Sequence, residues 1–125
     1  MSYPVHWQDR EQGGKIIAEY IWLGGSGLDI RSKCKTLQRD QISNVGELDE
    51  WNYDGSSAEQ ARGSDSEVFI MPKKVVRCPL RGGNNILVMC DTWLPDGTPC
   101  NTNFRAGAAK VFDACASEEP WFSFE

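Results

Sequence analysis

The run Ile86-Leu87-Val88-Met89-Cys90-Asp91-Thr92-Trp93-Leu94 constrains the fold of this chain more than any other stretch. Ile86, Val88 and Cys90 alternate against Leu87, Met89 and Trp93, so an extended backbone would carry apolar side chains on both faces. Such a strand needs cover on both sides and belongs in the middle of a sheet. Turn residues close it at each end, Arg81-Gly82-Gly83-Asn84-Asn85 before and Pro95-Asp96-Gly97-Thr98-Pro99 after. Asp91 within the run reads either as a buried functional carboxylate or as the polar side of an edge, the second being the commoner case.

The other segments supply partners for that strand. Ile16 to Leu23 is β-branched, aromatic or aliphatic, and Leu28 to Leu37 alternates strictly across the Gly24-Gly25-Ser26-Gly27 turn. Leu28, Ile30, Ser32, Cys34 and Thr36 point one way and Asp29, Arg31, Lys33 and Lys35 the other, which predicts a hairpin with one wet face. The glycine-rich turn lacks the Lys-Ser/Thr and following helix of a phosphate loop and reads as a plain turn. Arg39 to Glu50 is polar and irregular, and Ala58 to Ser66 reads as an exposed, mobile connection. Glu67 to Met71 is a strand stopped by Pro72, and Lys73 to Arg77 a short extended or helical turn stopped by Pro79. Thr102 or Asn101 caps a helix from about Asn103 to Ala116, with Phe104, Ala108, Val111, Phe112 and Cys115 on one stripe. The expected class is α+β, a mixed sheet of about five or six short strands with one main C-terminal helix.

At 125 residues, 40% apolar and 25% charged, the chain fits one soluble globular domain. The formal net charge of −5, with Lys and Arg scattered among acids, argues against nucleic acid or an anionic membrane surface as partner. No apolar run approaches the roughly 20 residues of a membrane-spanning helix, and Met1 to Lys15 reads as neither a signal peptide nor a transit peptide. Residues 1 to 14 form an arm whose Trp7 docks on a neighbour or against its own domain. Cys34, Cys78, Cys90, Cys100 and Cys115 are odd in number, widely spaced and complemented only by His6, which argues against a zinc site. Cys34, Cys90 and Cys115 lie in apolar patterns, so free buried thiols in a reducing compartment are expected.

The run Trp51-Asn52-Tyr53-Asp54-Gly55-Ser56-Ser57 builds an anchored loop with a carboxylate at its tip; local chemistry alone favours an ordinary turn. The run resembles the Asp-Gly-Ser-Ser loop of the glutamine synthetases. The resemblance extends through Lys15 to Trp22, Gly24 to Lys33, Asp65 to Val68, Gly83 to Asp91, Thr102-Asn103 with Arg105, and Glu118 to Phe122, closest to the plant and green-algal type. It implies a β-grasp domain over 15–100, followed at 101–125 by a helix and aromatic tail that open a catalytic domain. In that family ATP converts glutamate to an acyl phosphate that ammonia attacks, with divalent metals on the phosphates. Nearly all the groups for this belong to the C-terminal domain; the N-terminal loop reaches into a neighbouring subunit's site.

On that pattern Asp54 matches the carboxylate that binds ammonium and takes its proton, and Ser57 the hydroxyl that supports the pocket. Glu125 matches the first metal-binding Glu of the catalytic domain, but one carboxylate does not supply the oxygen set Mg²⁺ takes. The resemblance therefore implies no cofactor for this stretch alone, and Mg and ATP only when a catalytic domain completes it. Asp49-Glu50 and Glu118-Glu119 read as solvation or capping. The family's Thr-Gly step is Ala58-Glu59 here, Lys-Asp-Pro-Phe is Arg77-Cys78-Pro79-Leu80, and Asn101 and Ser123 replace a Pro and a Gly. Not an enzyme by itself, the chain is expected first as a structural or adaptor subunit using Trp7, Trp121, Phe122 and Phe124 as interface. Alternatives are an N-terminal fragment of an active synthetase, or a regulator docking on one. Its partners are then subunits of a larger complex or a glutamine synthetase catalytic domain, in the cytoplasm or an organelle interior such as the plastid stroma or mitochondrial matrix.

Overall fold

The alternating runs close into one mixed sheet, seen here in a computed structural model that describes residues 11–61 and 65–123. Its strands are β1 (Ile16–Leu23), β2 (Ile30–Leu37), β3 (Trp51–Asp54), β4 (Glu67–Arg77) and β5 (Ile86–Trp93), in the spatial order β2-β1-β5-β4-β3. β1 and β5 run parallel and every other pair is antiparallel. One helix, α1 (Phe104–Ala114), follows. The α+β, β-grasp-like class expected from the sequence is the class observed.

The both-faced apolar run is the middle strand of the five, as its pattern requires. Ile86 and Val88 join Ile16, Ala18, Tyr20, Trp22, Ile42 and Ile70 in the core, with Trp51, Tyr53 and Val75 packed around them. Asp91 is not the polar side of an edge. It is buried on the opposite face of this central strand, accepting from Trp93 Nε1 at 2.7 Å with Lys73 Nζ at 3.8 Å. Paired and hydrogen-bonded, it is a satisfied structural carboxylate.

Several local readings need correction. The charged row of β2 faces inward: Lys33 and Arg31 lie opposite Tyr20 and Trp22 in register, while Ile30 and Cys34 are exposed. Lys33 Nζ sits 3.6 Å from the Trp51 ring centroid, and Lys35 Nζ 4.9 Å from that of Tyr20. Aromatic faces thus give the ammonium groups a place against the core, so here alternation marks the faces without telling which is wet. Pro72 does not stop a strand, because β4 continues to Arg77 through an irregularity in register between Pro72 and Lys74. The polar Arg39–Glu50 segment contributes Ile42 and Leu48 to the core and holds a 3-10 turn at Val45–Glu47, capped reciprocally by Asn44 and Glu47.

The cap of α1 is Asn103, one residue beyond those expected. Its carboxamide oxygen accepts from the Ala106 amide at 3.1 Å, while its Nδ2 donates to the Thr92 carbonyl at 2.8 Å, tying the helix start to β5. The apolar stripe of α1 forms but does not pack on the sheet: Phe104, Val111 and Phe112 are exposed, and Phe112 meets Phe122 edge-on at 5.8 Å. The thiols differ from expectation accordingly. All five cysteines are free, Cys78 and Cys100 are buried and Cys90 is half-buried, but Cys34 on the outward face of an end strand and Cys115 at the helix end are exposed. Among the described residues no helix is long and apolar enough to cross a membrane.

Candidate functional site

Trp51 and Tyr53 alternate inward from β3 and lock the approach to the loop. Trp51 meets Tyr20 edge-on at 5.5 Å, and Tyr53 lies against Trp22 with ring centroids 4.7 Å apart. Asp54 ends the strand and caps the 3-10 turn Gly55–Ala58. Its Oδ1 accepts from the Ser56 amide at 3.0 Å and the Ser56 hydroxyl at 2.6 Å. The Ser57 hydroxyl donates to the Asp54 main-chain carbonyl at 2.8 Å. Gly55 is required sterically, since a Cβ there would overlap Val68 Cγ2 and lie 3.0 Å from the Ser66 carbonyl oxygen.

Three groups outside the Asp-Gly-Ser-Ser run hold the loop, none singled out for this role by the sequence reading. The Gly25 amide donates to the Ala58 carbonyl at 2.7 Å, which makes the glycine-rich turn a buttress for the loop. Arg31 Nη2 donates to the Ser57 carbonyl at 3.0 Å while its Nε pairs with Asp29 Oδ2 at 3.0 Å. The Gln60 side chain accepts from the Tyr53 hydroxyl and places Nε2 3.1 Å from the Leu23 carbonyl oxygen and 3.2 Å from Thr102 Oγ1. The stretch read as an exposed, mobile connection is therefore anchored through its first residues: Ala58 is buried and the Gln60 amide bonds the Gly55 carbonyl at 2.9 Å. A lone Gln in a polar stretch carries no sequence signal for such a role. Glu59 occupies the left-handed region at φ 57°, where the family pattern has glycine.

Asp54 is exposed, and its carboxyl is held below the usual carboxylate range by the Ser56 hydroxyl first, then the Ser56 amide and the Ser66 hydroxyl. It lines an open depression of about 420 Å³ with Lys33, Asn52, Tyr53, Ser66 and Glu67. Burial, and Lys35 beside it, lower the pKa of Lys33, whose Nζ donates to the Asn52 carbonyl at 2.6 Å. The arrangement presents an exposed carboxylate whose Oδ1 is held by Ser56, chemistry suited to receiving a small cation.

The remaining candidates do not join this loop. Asp49 and Glu50 are exposed ahead of β3, and Glu118 and Glu119 are exposed beyond α1. Trp121 and Phe122 are exposed, with Phe122 on Phe112. His6, Trp7, Phe124 and Glu125 lie outside the described residues. Among the described residues, no group of three or more His, Cys, Asp or Glu side chains is placed to hold a metal ion.

Comparison with known proteins gives a consistent set of relatives. No family model matches the chain. It is 55% identical over 113 residues to the chloroplastic/mitochondrial glutamine synthetase of Arabidopsis thaliana, covering 89% of this chain and 26% of that protein. The glutamine synthetase cytosolic isozyme 1-5 of the same plant is 57% identical over 113 residues, covering 89% of this chain and 32% of that protein. The nodule isozyme of Lupinus angustifolius is 55% identical over 113 residues, covering 89% and 36%. The cryo-EM structure of Plasmodium falciparum glutamine synthetase aligns with a TM-score of 0.47 at 18% identity over 86% of this chain and 22% of that one. The chain spans about a quarter to a third of the length of the plant relatives it matches. Over that stretch the chain is homologous to the N-terminal part of the glutamine synthetases.

Proposed function

We propose that this domain supplies the ammonium-binding wall of a glutamine synthetase site whose other walls come from a catalytic domain. The observation that carries the reading is the Asp54 loop: an exposed, ionised carboxylate fixed by Ser56 and buttressed from β1, β2 and the Gly24–Gly27 turn. A carboxylate so held is a good ammonium receptor and, in the free domain, a poor base, because its hydrogen bonds favour the charged form. Closure by a neighbouring wall removes water from the carboxylate and raises its proton affinity. Asp54 then takes one proton from ammonium, and the freed ammonia attacks the acyl carbon of the activated glutamate and expels phosphate. Metal and nucleotide would fall to the completing domain, as the resemblance implies.

Mixing the chain with a glutamine synthetase portion lacking its own N-terminal domain tests this directly. Glutamine formation should be restored and should fall roughly 10²- to 10⁴-fold with Asp54→Ala. Absence of rescue, or rescue as good with Asp54→Ala, overturns the proposal.

A second reading, a structural or adaptor subunit, is favoured by the uncovered aromatic face of Phe104, Phe112, Trp121 and Phe122. Asp54 would be dispensable in that role. It predicts association through this face, abolished by Trp121→Ser with Phe122→Ser; a stable monomer at micromolar concentration counts against it.

A further inference from the structure

We propose that Gln60 is a positioning residue that fixes the Asp54 loop to the start of α1. Its main chain closes the loop, with the amide on the Gly55 carbonyl at 2.9 Å. Its carboxamide oxygen takes the Tyr53 hydroxyl from the strand that carries Asp54. Its Nε2 lies within bonding distance of the Leu23 carbonyl at the end of β1, Thr92 Oγ1 on β5 at 3.4 Å and Thr102 Oγ1 at 3.2 Å. An amide NH₂ has two protons, so these three acceptors share them, and the carboxamide is engaged through both its oxygen and its nitrogen. Thr102 immediately precedes Asn103, which caps α1 and bonds β5.

One side chain therefore joins the two parts of the domain that a partner would meet: the loop bearing the carboxylate and the lead-in to the exposed helix. A shift of the helix start reaches Asp54 through Thr102, Gln60 and the closed turn. The consequence for ammonium binding rests on the function proposed above, but the joint itself does not.

The test has two arms. In the full chain, Gln60→Met keeps length and apolar volume but loses every polar contact of the side chain. Hydrogen exchange at the Gly55, Ser56 and Gln60 amides should then accelerate roughly tenfold while the Val88 amide in β5 is unchanged. Thr102→Val, which removes only the helix-side contact, should act in the same direction and decides the matter if Gln60→Met does not fold. Unchanged exchange, or acceleration spread evenly over β5, overturns the joint. In an assembly completed with a catalytic domain, Gln60→Met should raise the KM for ammonium roughly tenfold with the KM for ATP unmoved. If Asp54→Ala is inactive there yet Gln60→Met leaves the ammonium KM intact, the positioning role is refuted. If Asp54→Ala is itself harmless, the functional reading fails, and the exchange arm still judges the joint.

Discussion

Gly25→Ala should loosen the Asp54 loop from a position 29 residues before it in the sequence. A Cβ at Gly25 would stand 2.7 Å from both the carbonyl carbon and oxygen of Glu59, and closer still to the Ala58 oxygen. Ordinary contact begins at 3.4 Å, so the two backbones must part by about 0.7 Å or more. Both sides are main chain, and no flexible side chain is available to yield. The separation stretches the 2.7 Å bond from the Gly25 amide to the Ala58 carbonyl. Losing that bond costs about 1 kcal/mol, and the overlap adds about 1–3 kcal/mol, for a total of roughly 2–4 kcal/mol. For a domain of this size that lowers the melting midpoint by roughly 10 °C. Thermal unfolding followed by circular dichroism gives the number, and amide exchange at Gly55 and Gln60 shows whether the loop is the part released. A melt within about 1 °C of the parent, with both amides still protected, would refute the claim that backbone contact between these turns sets the loop's position.

Three further outcomes follow from other sites. Gly107→Ala meets nothing within 4 Å and sits inside α1, so helicity near 222 nm should rise, with a gain of about 0.5–1 kcal/mol in helix stability. Glu59→Gly removes a left-handed non-glycine residue and should stabilise the domain by about 1 kcal/mol, read from the shift of the denaturant midpoint. Arg81→Ala should cost about 1 kcal/mol at neutral pH, because Arg81 Nη1 binds Glu19 Oε2 at 2.5 Å in a partly exposed pair. Arg81 first and the Ser32 hydroxyl second lower the Glu19 pKa, so this contribution is present above the ordinary glutamate value and is lost as pH falls through the lowered one. The gap between parent and variant in chemical denaturation should narrow below about pH 4.

Much of the architecture was legible because it rests on local periodicity. The run from Ile86 declared a central strand, and the Ile16 and Leu28 runs declared the hairpin, with β1 observed at Ile16–Leu23. What failed depends on partners distant in sequence. The inward turn of Lys33 needs Trp51, and the continuity of β4 past Pro72 needs the bulge against β5. The placement of Ile42 in the core needs the whole sheet. The loop of Asp54 was visible as a turn, and its resemblance marked it as a site, but its supports were not. Gly25, Arg31 and Gln60 reach it from 30, 24 and 6 positions away from Gly55, Gly55 and Asp54 respectively, and no short motif spans the first two intervals. The helical stripe from Phe104 was read correctly as a stripe, yet spacing alone does not say whether the surface that covers it belongs to the same domain.

Among the described residues, the end strand β2 has β1 on one side and no strand on the other. An open border of eight residues is a ready template on which another chain can lay a strand of its own. Arg31, Lys33 and Lys35 alternate along it, so a second copy aligned there would bring like charge against like charge and would have to draw the two lysines off their aromatic rings. Addition of a second copy along β2 is thereby discouraged.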